Sequence, residues 1–265
     1  MTNEKPLLGH TILVTRARRD KDELVNQLET YGAKVLYSPT IEIVEPESIA
    51  PLDQAINRLS KYDWVIFTSR SAVEVFIDRL KRLGKQIEEL IGVKILAVGS
   101  STAKALEKAG ILVTLIPEKF NAEGALASLQ NYYQNNELLA KCCFLFPRAA
   151  MGRDLLPTEL EKLGAQIDLV IAYQTSIPKG AKEEVLTIFA NEKIDLITFT
   201  SPSTINNLVE LVAPESLDKL LKDTAIASIG PVTTTAIKEA GLVAKVCPNE
   251  STALSLAEAI KTYFK

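Results

Sequence analysis

The stretch Asp63-Trp-Val-Ile-Phe-Thr-Ser69 reappears 132 positions later as Asp195-Leu-Ile-Thr-Phe-Thr-Ser201. Around this stretch, other residues recur at the same shift or at a shift of 131: Arg16 and Arg148, Asp22 and Asp154, Gly32 and Gly164, Gly99 and Gly230, Thr102 and Thr233. Matches at nearly one offset along most of a chain are the signature of an internal repeat. We therefore interpret the protein as a duplication.

The repeated stretch combines an apolar strand with a hydroxylated turn and an amphipathic helix. Residues 64–68 are β-branched or aromatic, Ser69 or Ser71 is placed to cap a helix, and Val73 and Phe76 lie on one helical face. Similar apolar patterns predict further strands at 11–15, 94–98 and 113–116. They also predict a helix at 20–31, which Gly32 would terminate. Apolar strands that alternate with helices predict an α/β fold of two doubly wound, parallel-sheet (flavodoxin-like) lobes.

Two longer segments suggest how the lobes are connected. Residues 35–44 and 166–177 are extended, β-rich and equivalent in the repeat. We predict inter-lobe linker strands at 38–41 and 171–175, which leaves a discontinuous first lobe and a continuous second lobe: 1–37 with 176–265, and 42–170. The alternative is two consecutive lobes joined once, at about residues 131–141.

Composition excludes several classes of protein. The chain has 265 residues, 47% of them apolar, and a formal net charge of −3, which is unlike a protein that coats nucleic acid. No apolar run approaches the ~18 residues that cross a bilayer, and the first residues do not form a signal peptide. Three cysteines and a single histidine, His10, make a disulfide framework, a His-based triad or a metal site of several His and Cys ligands improbable. We expect a cytoplasmic protein with no nucleic-acid or membrane partner and no metal.

Familiar cofactor and nucleophile motifs do not occur. The chain has no Gly-x-Gly-x-x-Gly after a strand, no Walker-type phosphate loop and no Gly-x-Ser-x-Gly. Nicotinamide, nucleoside-triphosphate and serine-hydrolase functions therefore lose their main support.

The carboxyl ends of the predicted strands carry small, hydroxylated or basic residues. In open parallel sheets, ligands bind beyond these ends, where backbone N–H groups and helix N-termini point outward. Such a lining suits an anionic ligand. The segments are Thr15-Arg16, Thr68-Ser69-Arg70, Gly99-Ser-Ser-Thr102, Pro147-Arg148, Thr200-Ser201 and Gly230-Pro-Val-Thr233. The alternative is that the hydroxyls only cap helices and that the arginines are solvated.

Tyr173 is the aromatic residue of most interest, because it lies on the second linker strand. Its phenol is protonated at pH 7 and can donate a proton to a leaving oxygen. The alternative is a tyrosine that packs one ring face against a neighbouring strand.

Together these residues resemble the uroporphyrinogen-III synthase family over nearly the whole chain. The matching segments are Leu13-Val-Thr-Arg16, Phe67-Thr-Ser69, Val98-Gly-Ser-Ser-Thr102, Gly152-Arg153, Val170-Ile-Ala-Tyr-Gln-Thr175, Phe199-Thr-Ser-Pro-Ser203 and Ile229-Gly-Pro-Val-Thr233. Thr68-Ser-Arg-Ser71 departs from the family's frequent Ser-Pro-Arg, so no role is transferred to Arg70.

The resemblance implies a fold, a reaction and a pathway. Members have two α/β lobes joined by a two-stranded linker, with the active site between them. They convert hydroxymethylbilane into uroporphyrinogen III, with loss of water and inversion of ring D through an azafulvene and a spiro intermediate. Unaided, the substrate closes to the type I isomer. The chain would thus be a monomeric, cofactor-free hydro-lyase of haem, sirohaem, chlorophyll and cobalamin biosynthesis, functionally coupled to hydroxymethylbilane synthase.

The resemblance also suggests roles for individual residues. Tyr173 matches the tyrosine proposed to help the hydroxyl depart, and the cleft threonines and strand-end serines match Thr102, Thr233, Ser69 and Ser201. Position and charge add four substrate-binding candidates: Thr68, Arg16, Arg148 and Arg153.

Two other classes of protein have a similar arrangement of two α/β lobes. A two-lobed small-molecule-binding protein without catalysis would have the same lobes and linkers, although an exported form needs a signal peptide and a regulator needs a basic DNA-binding domain. A nucleotide-sugar glycosyltransferase would be longer and would need an acid or base that is not evident here.

Overall fold

Strands and helices alternate along the chain. The computed structural model describes residues 5–17, 22–152, 154–213 and 216–265. Within them the strands are β1 (Thr11–Val14), β2 (Lys34–Tyr37), β3 (Glu42–Val44), β4 (Trp64–Phe67), β5 (Lys94–Ala97), β6 (Cys143–Ala149), β7 (Gln166–Ser176), β8 (Leu196–Phe199) and β9 (Ala225–Ser228).

The helices are mostly short and amphipathic, with one buried face. They are α1 (Glu23–Thr30), α2 (Ala50–Ile56), α3 (Arg70–Arg82), α4 (Ser100–Lys108), α5 (Ala122–Tyr133), α6 (Asn136–Leu139), α7 (Leu155–Lys162), α8 (Ala181–Asn191), α9 (Pro202–Val212), α10 (Leu217–Leu220), α11 (Pro231–Glu239) and α12 (Ala253–Tyr263). No helix in the described part of the chain is long and apolar enough to cross a bilayer.

Helix α1 shows how local sequence sets the ends of these helices. Asp22 Oδ1 accepts the N–H groups of Leu24 and Val25 at 3.0 and 3.3 Å, which satisfies two donors of the first turn. At the other end, Gly32 has φ +93°, a conformation that side chains rarely adopt, and its N–H bonds the carbonyl of Glu29. The predicted glycine end of this helix is confirmed.

The chain divides into two compact units, and each contains one sheet. The first unit comprises Met1–Glu42 and Ser176–Lys265, and the second comprises Ile43–Thr175. Residues 131–141, where the consecutive-lobe alternative placed its only connection, lie inside the second unit.

The first unit has a sheet of order β2-β1-β8-β9. Its strands are parallel, with Thr11 opposite Lys34 and Ile12 opposite Leu196. An isolated parallel bridge from Ala227 to Val246 extends the sheet beyond β9. Counted along this unit, the order is 2-1-3-4-5, which is the flavodoxin-like order.

The second unit has a sheet of order β3-β7-β6-β4-β5. Parallel pairing joins β7 to β6, β6 to β4 and β4 to β5, and a bridge from Leu96 to Leu115 continues the sheet. The predicted α/β class with parallel sheets is confirmed.

The strands of the two units occupy equivalent positions in the repeat. A shift of 132 carries β1, β2 and β4 onto the starts of β6, β7 and β8, and a shift of 131 carries β5 onto β9. Even single hydrogen bonds recur. Asp195 Oδ2 accepts the N–H of Thr11 at 2.8 Å, and Asp63 Oδ2 accepts the N–H of Cys143 at 2.8 Å. Both aspartates therefore tie the beginnings of neighbouring strands together, as expected for structural rather than catalytic residues.

Each sheet is buried on both faces. In the first unit, Leu13 and Ile197 pack into one cluster of buried side chains, while Ile12, Val14 and Leu196 pack into another. Two clusters likewise cover the sheet of the second unit. Burial on both faces explains why these strands are continuous apolar runs rather than alternating ones.

Two predicted strands differ in the structure. Residues 35–44 form β2 and β3 rather than one strand, and the predicted linker strand 38–41 is not a strand in the structure. Pro39, which lacks an N–H, lies in this gap, where the N–H groups of Ser38 and Thr40 bond the carbonyls of Val14 and Thr15 at the end of β1. Residues 113–116 do not form a regular strand: Leu115 bridges to Leu96 of β5, and the N–H groups of Thr114 and Leu115 both bond the carbonyl of Ile95.

Candidate functional site

The carboxyl end of β4 carries Thr68 and Ser69. Thr68 is exposed, while Ser69 is extended (φ −149°, ψ 150°) and caps α3 by accepting the N–H of Ala72 at 3.0 Å. The Oγ atom of Ser69 also lies 3.0 Å from the phenol oxygen of Tyr173. The structure thus brings together two residues that are 104 positions apart in the sequence.

Tyr173 reaches Ser69 from β7, across β6. It lies opposite Ala149 just after a shift in register between β6 and β7, and its carbonyl accepts the N–H of Ala150 at 2.9 Å. Such β-bulges re-aim side chains and are common beside active sites. The side chain is 8% exposed, so its hydroxyl stands at the boundary between the core and the carboxyl edge of the sheet.

The hydrogen bond between the hydroxyls of Ser69 and Tyr173 can leave the phenol proton available to a substrate. Ser69 Oγ already accepts the N–H of Ala72, and either Ser69 or Tyr173 can be the donor in the bond between them. When Ser69 donates, the phenol proton of Tyr173 is left free for a third group. This arrangement equips Tyr173 to act as a general acid with an oriented proton.

The next strand of the second unit, β5, is followed by helix α4, whose first turn has no side-chain cap. Gly99 is the N-cap of α4 and has φ +108°, a conformation that favours glycine. The first N–H groups of a helix have no partner within it, and here the exposed Ser100 and Ser101 begin the helix. Thr102 is 2% exposed, and its hydroxyl donates to the carbonyl of Val98 at 3.3 Å. The start of α4 is therefore suited to an anion such as a carboxylate.

The first unit has a similar but less polar edge. Ser201 is half-buried before α9, and the hydroxyl of Thr204 donates to its carbonyl at 2.6 Å. Thr233 is 3% exposed in the first turn of α11, which begins with Pro231 and so presents one N–H fewer than α4. The repeat places Ile41 where the second unit has Tyr173. A hydroxyl pair like Ser69–Tyr173 therefore has no counterpart at Ser201.

The predicted anion-binding arginines have carboxylate partners within their own units. Arg16 Nε lies 3.5 Å from Asp22, and Arg148 forms a bond of 2.6 Å to Asp154, so the repeat has duplicated this ion pair. Because each arginine is paired with a carboxylate, the positive charge available to an anion is reduced. Contact of these arginines with a substrate stays a prediction, and Arg153 lies outside the described residues.

Shifted pKa values occur away from this edge. Burial and the bond of Tyr62 to Asp168 (2.5 Å) raise the pKa of that tyrosine, and burial raises the pKa of Tyr133 to about 12. Burial likewise raises the pKa of Cys142. Tyr62 and Cys142 are buried in the second unit and Tyr133 packs half-buried against its core, so all three are kept neutral, which fits packing rather than catalysis. Among the residues that the structure describes, no cluster of His, Cys, Asp and Glu could hold a metal ion.

Comparison with known proteins gives one consistent family. Residues 22–258 match the model of the family described as uroporphyrinogen-III synthase HemD. The chain is 34% identical over 240 residues to the uroporphyrinogen-III synthase of Synechococcus elongatus, covering 89% of this chain and 88% of that protein. It is 31% identical over 251 residues to a putative uroporphyrinogen-III synthase of Methanothermobacter thermautotrophicus, covering 93% and 96%.

Solved structures show the same fold. A mutant uroporphyrinogen III synthase from Thermus thermophilus superposes with a TM-score of 0.62 at 18% identity, over 96% of this chain and 98% of the other. The Helicobacter pylori uroporphyrinogen-III synthetase gives 0.61 at 17% identity, over 96% and 99%. The family model and the two relatives cover most of the chain, and the fold agrees with them. The chain therefore belongs to the uroporphyrinogen-III synthase family, whose members are enzymes of tetrapyrrole biosynthesis.

Proposed function

We propose that this chain is a cyclising hydro-lyase that converts hydroxymethylbilane into uroporphyrinogen III. The observation that carries the proposal is the Ser69–Tyr173 hydroxyl pair, which lies at the carboxyl edge of the second unit, in the same sheet as the open start of α4. A proton donor and a set of carboxylate-binding amides are what a substrate with a leaving hydroxyl and many carboxylates requires.

The first step is the departure of the terminal hydroxyl of the substrate. Tyr173 donates its phenol proton to that oxygen, the carbon–oxygen bond breaks and water leaves, while the electron pair of the pyrrole nitrogen forms the protonated (cationic) azafulvene. The methylene carbon of this cation bonds the substituted α-carbon of ring D, which gives the spiro intermediate; the bond from that carbon to its original methylene bridge then breaks and re-forms at the free α-carbon. Loss of the proton from that α-carbon restores the pyrrole and returns a proton to the phenolate of Tyr173. The overall reaction loses one water and needs no oxidant or reductant. Proton donation of this kind typically contributes about 10²–10⁴ in rate.

Ser69 is a positioning residue in this scheme. Its Oγ atom is fixed by the N–H of Ala72 at 3.0 Å, so its own proton can point to the phenol oxygen of Tyr173. A bond received by that oxygen stabilises the negative charge that develops when Tyr173 gives up its proton.

Carboxylates of the substrate are proposed to bind at helix starts and exposed hydroxyls of the strand ends. At the start of α4, the N–H groups from Ser100 to Thr102 and the positive end of the helix dipole favour an anion. Thr68 adds an exposed hydroxyl after β4. Thr102 and Thr233 are nearly buried, so we assign them to shaping the first turns of α4 and α11, from which their backbones can still bind substrate.

Other features of the protein remain predictions from the sequence. They are a cytoplasmic location, a monomeric state, the lack of a cofactor and functional coupling to hydroxymethylbilane synthase. A supply of hydroxymethylbilane from that enzyme would be chemically useful, because the free substrate closes to the type I isomer by itself.

The isomer composition of the product tests the proposed function. Porphobilinogen and its deaminase generate hydroxymethylbilane in the presence of this protein, and the products are oxidised and separated by chromatography. We expect mainly the type III isomer, and only type I from heat-denatured protein. Type I alone from a folded protein would refute the synthase function and favour a small-molecule-binding protein without catalysis.

A further inference from the structure

Phe120 is a large apolar side chain that remains 60% exposed at the carboxyl edge of the second unit. It follows the segment of Leu115 that bridges to β5. Its ring lies over Gly99, since a Cβ atom on that glycine would be 3.9 Å from Phe120 Cγ. The ring therefore stands beside the open start of α4, on the side of β5 away from β4 and Ser69.

Helix capping does not account for this ring. Phe120 directly precedes Asn121, the N-cap of α5, and an apolar residue at that position often packs against the fourth residue of the helix. That residue is Ala125, which is fully buried. Because more than half of Phe120 is still exposed, packing on the helix leaves most of the ring surface available.

The repeat shows that the ring is particular to the second unit. In the repeat, Phe120 corresponds to Ser251 and Gly99 corresponds to Gly230. Ser251 lies against Gly230 as Phe120 lies against Gly99, since a Cβ atom on Gly230 would be 2.1 Å from Ser251 Oγ. Tyr173 is likewise particular to this unit, since its equivalent is Ile41. Two aromatic departures from the repeat thus fall on the same edge of the same sheet.

We propose that Phe120 is a substrate-positioning residue whose ring packs against a pyrrole ring of the tetrapyrrole, while the amides that begin α4 hold a carboxylate of that ring. A pyrrole with acid side chains has a flat apolar face and anionic edges, so it needs an aromatic surface next to hydrogen-bond donors. Phe120 and the start of α4 supply these two surfaces side by side. This inference rests on the proposed function.

The test separates binding from chemistry. Phe120→Ala removes the ring and Phe120→Tyr retains it. As a control, Ile91→Ala removes an even more exposed apolar side chain (81%) just before β5, at the opposite edge of the sheet. Steady-state KM and kcat are measured with hydroxymethylbilane, and the Kd for uroporphyrin III is measured by fluorescence titration. Thermal unfolding confirms that each variant is folded.

We expect Phe120→Ala to raise KM and the uroporphyrin III Kd about fivefold to tenfold with kcat nearly unchanged, because a ring contact acts on bound substrate and transition state alike. Phe120→Tyr and Ile91→Ala should match the wild type. Unchanged KM and Kd in Phe120→Ala, or a fall in kcat alone, would overturn the inference while the synthase function stood. If the wild type formed only type I product but Phe120→Ala still weakened uroporphyrin III binding, the function would fail and the ring contact would stand.

Discussion

The hydroxyl pair of Ser69 and Tyr173 leads to a quantitative prediction about how their effects combine. Tyr173→Phe removes only the phenol oxygen and leaves the ring in its nearly buried position. Since the phenol bonds Ser69, which keeps its bond to Ala72, the fold should lose only about 1 kcal/mol. The loss of the proton donor should lower kcat by about 10²-fold, the lower end of general-acid effects, because the hydroxyl also departs unaided.

Ser69→Ala should act on catalysis through Tyr173. It removes a hydrogen bond of about 1–1.5 kcal/mol to the phenol, which corresponds to about a tenfold lower kcat. It also removes the cap of α3, which should lower the free energy of unfolding by about 1 kcal/mol. Ser69→Thr retains the hydroxyl and the cap and should restore most of both losses.

The double variant distinguishes coupled from independent roles. If Ser69 only positions the proton of Tyr173, adding Ser69→Ala to Tyr173→Phe should leave kcat unchanged, whereas the loss of stability from the missing cap should persist. Single-turnover rates and urea unfolding measure the two quantities, and Tyr132→Phe, at an exposed tyrosine of the same unit, serves as the control. Multiplicative losses in kcat would refute the positioning role, and an unchanged rate in Tyr173→Phe would remove the acid role altogether.

Three further predictions concern stability. Asp195→Ala should lower the free energy of unfolding by about 1.5–3 kcal/mol, since the N–H of Thr11 loses a charged acceptor; urea unfolding that matches the wild type would contradict this. Gly99→Ala should cost about 1–3 kcal/mol from backbone strain at φ +108°, and a thermal midpoint equal to that of the wild type would show that the strain is absent. Hydrogen bonding to Arg79 lowers the pKa of Asp53, so this ion pair stabilises the fold at pH values above the ordinary carboxyl pKa. The stabilisation is lost as the pH falls through the lowered pKa, because Asp53 is then protonated. Plots of the free energy of unfolding against pH for the wild type and Arg79→Met should therefore converge in acid, and parallel plots would refute the coupling.

Much of the fold could be predicted because the repeat and the burial pattern agree. The strand predicted at 64–68 is Trp64–Phe67 in the structure, and the strand predicted at 94–98 is Lys94–Ala97. Apolar runs that are buried on both faces are strong signals. The strand predicted within 35–44 is interrupted, because Pro39 lacks an N–H, and the next strand, β3, belongs to the other sheet.

The candidate site could be predicted in part. The hydroxylated strand ends and Tyr173 could be identified, but the contact between Ser69 and Tyr173 depends on the strand order β7-β6-β4 and on a bulge that no local pattern reveals. The prediction that Arg16 and Arg148 bind an anion did not take account of Asp22 and Asp154, which recur at the same spacing in both units and pair with these arginines. The sequence contains one indication that Phe120 is special: the equivalent position of the other repeat is Ser251, which is not aromatic.

A single-turnover measurement shows whether this protein directs the closure of hydroxymethylbilane to the type III isomer. Hydroxymethylbilane is mixed with an excess of the wild-type protein, so that nearly every substrate molecule is bound before it can close unaided, and the isomers are separated after oxidation. We predict that almost all product is type III and that it forms much faster than the type I isomer does without protein. Product that is mainly type I, formed at the unaided rate by a folded protein, would contradict it.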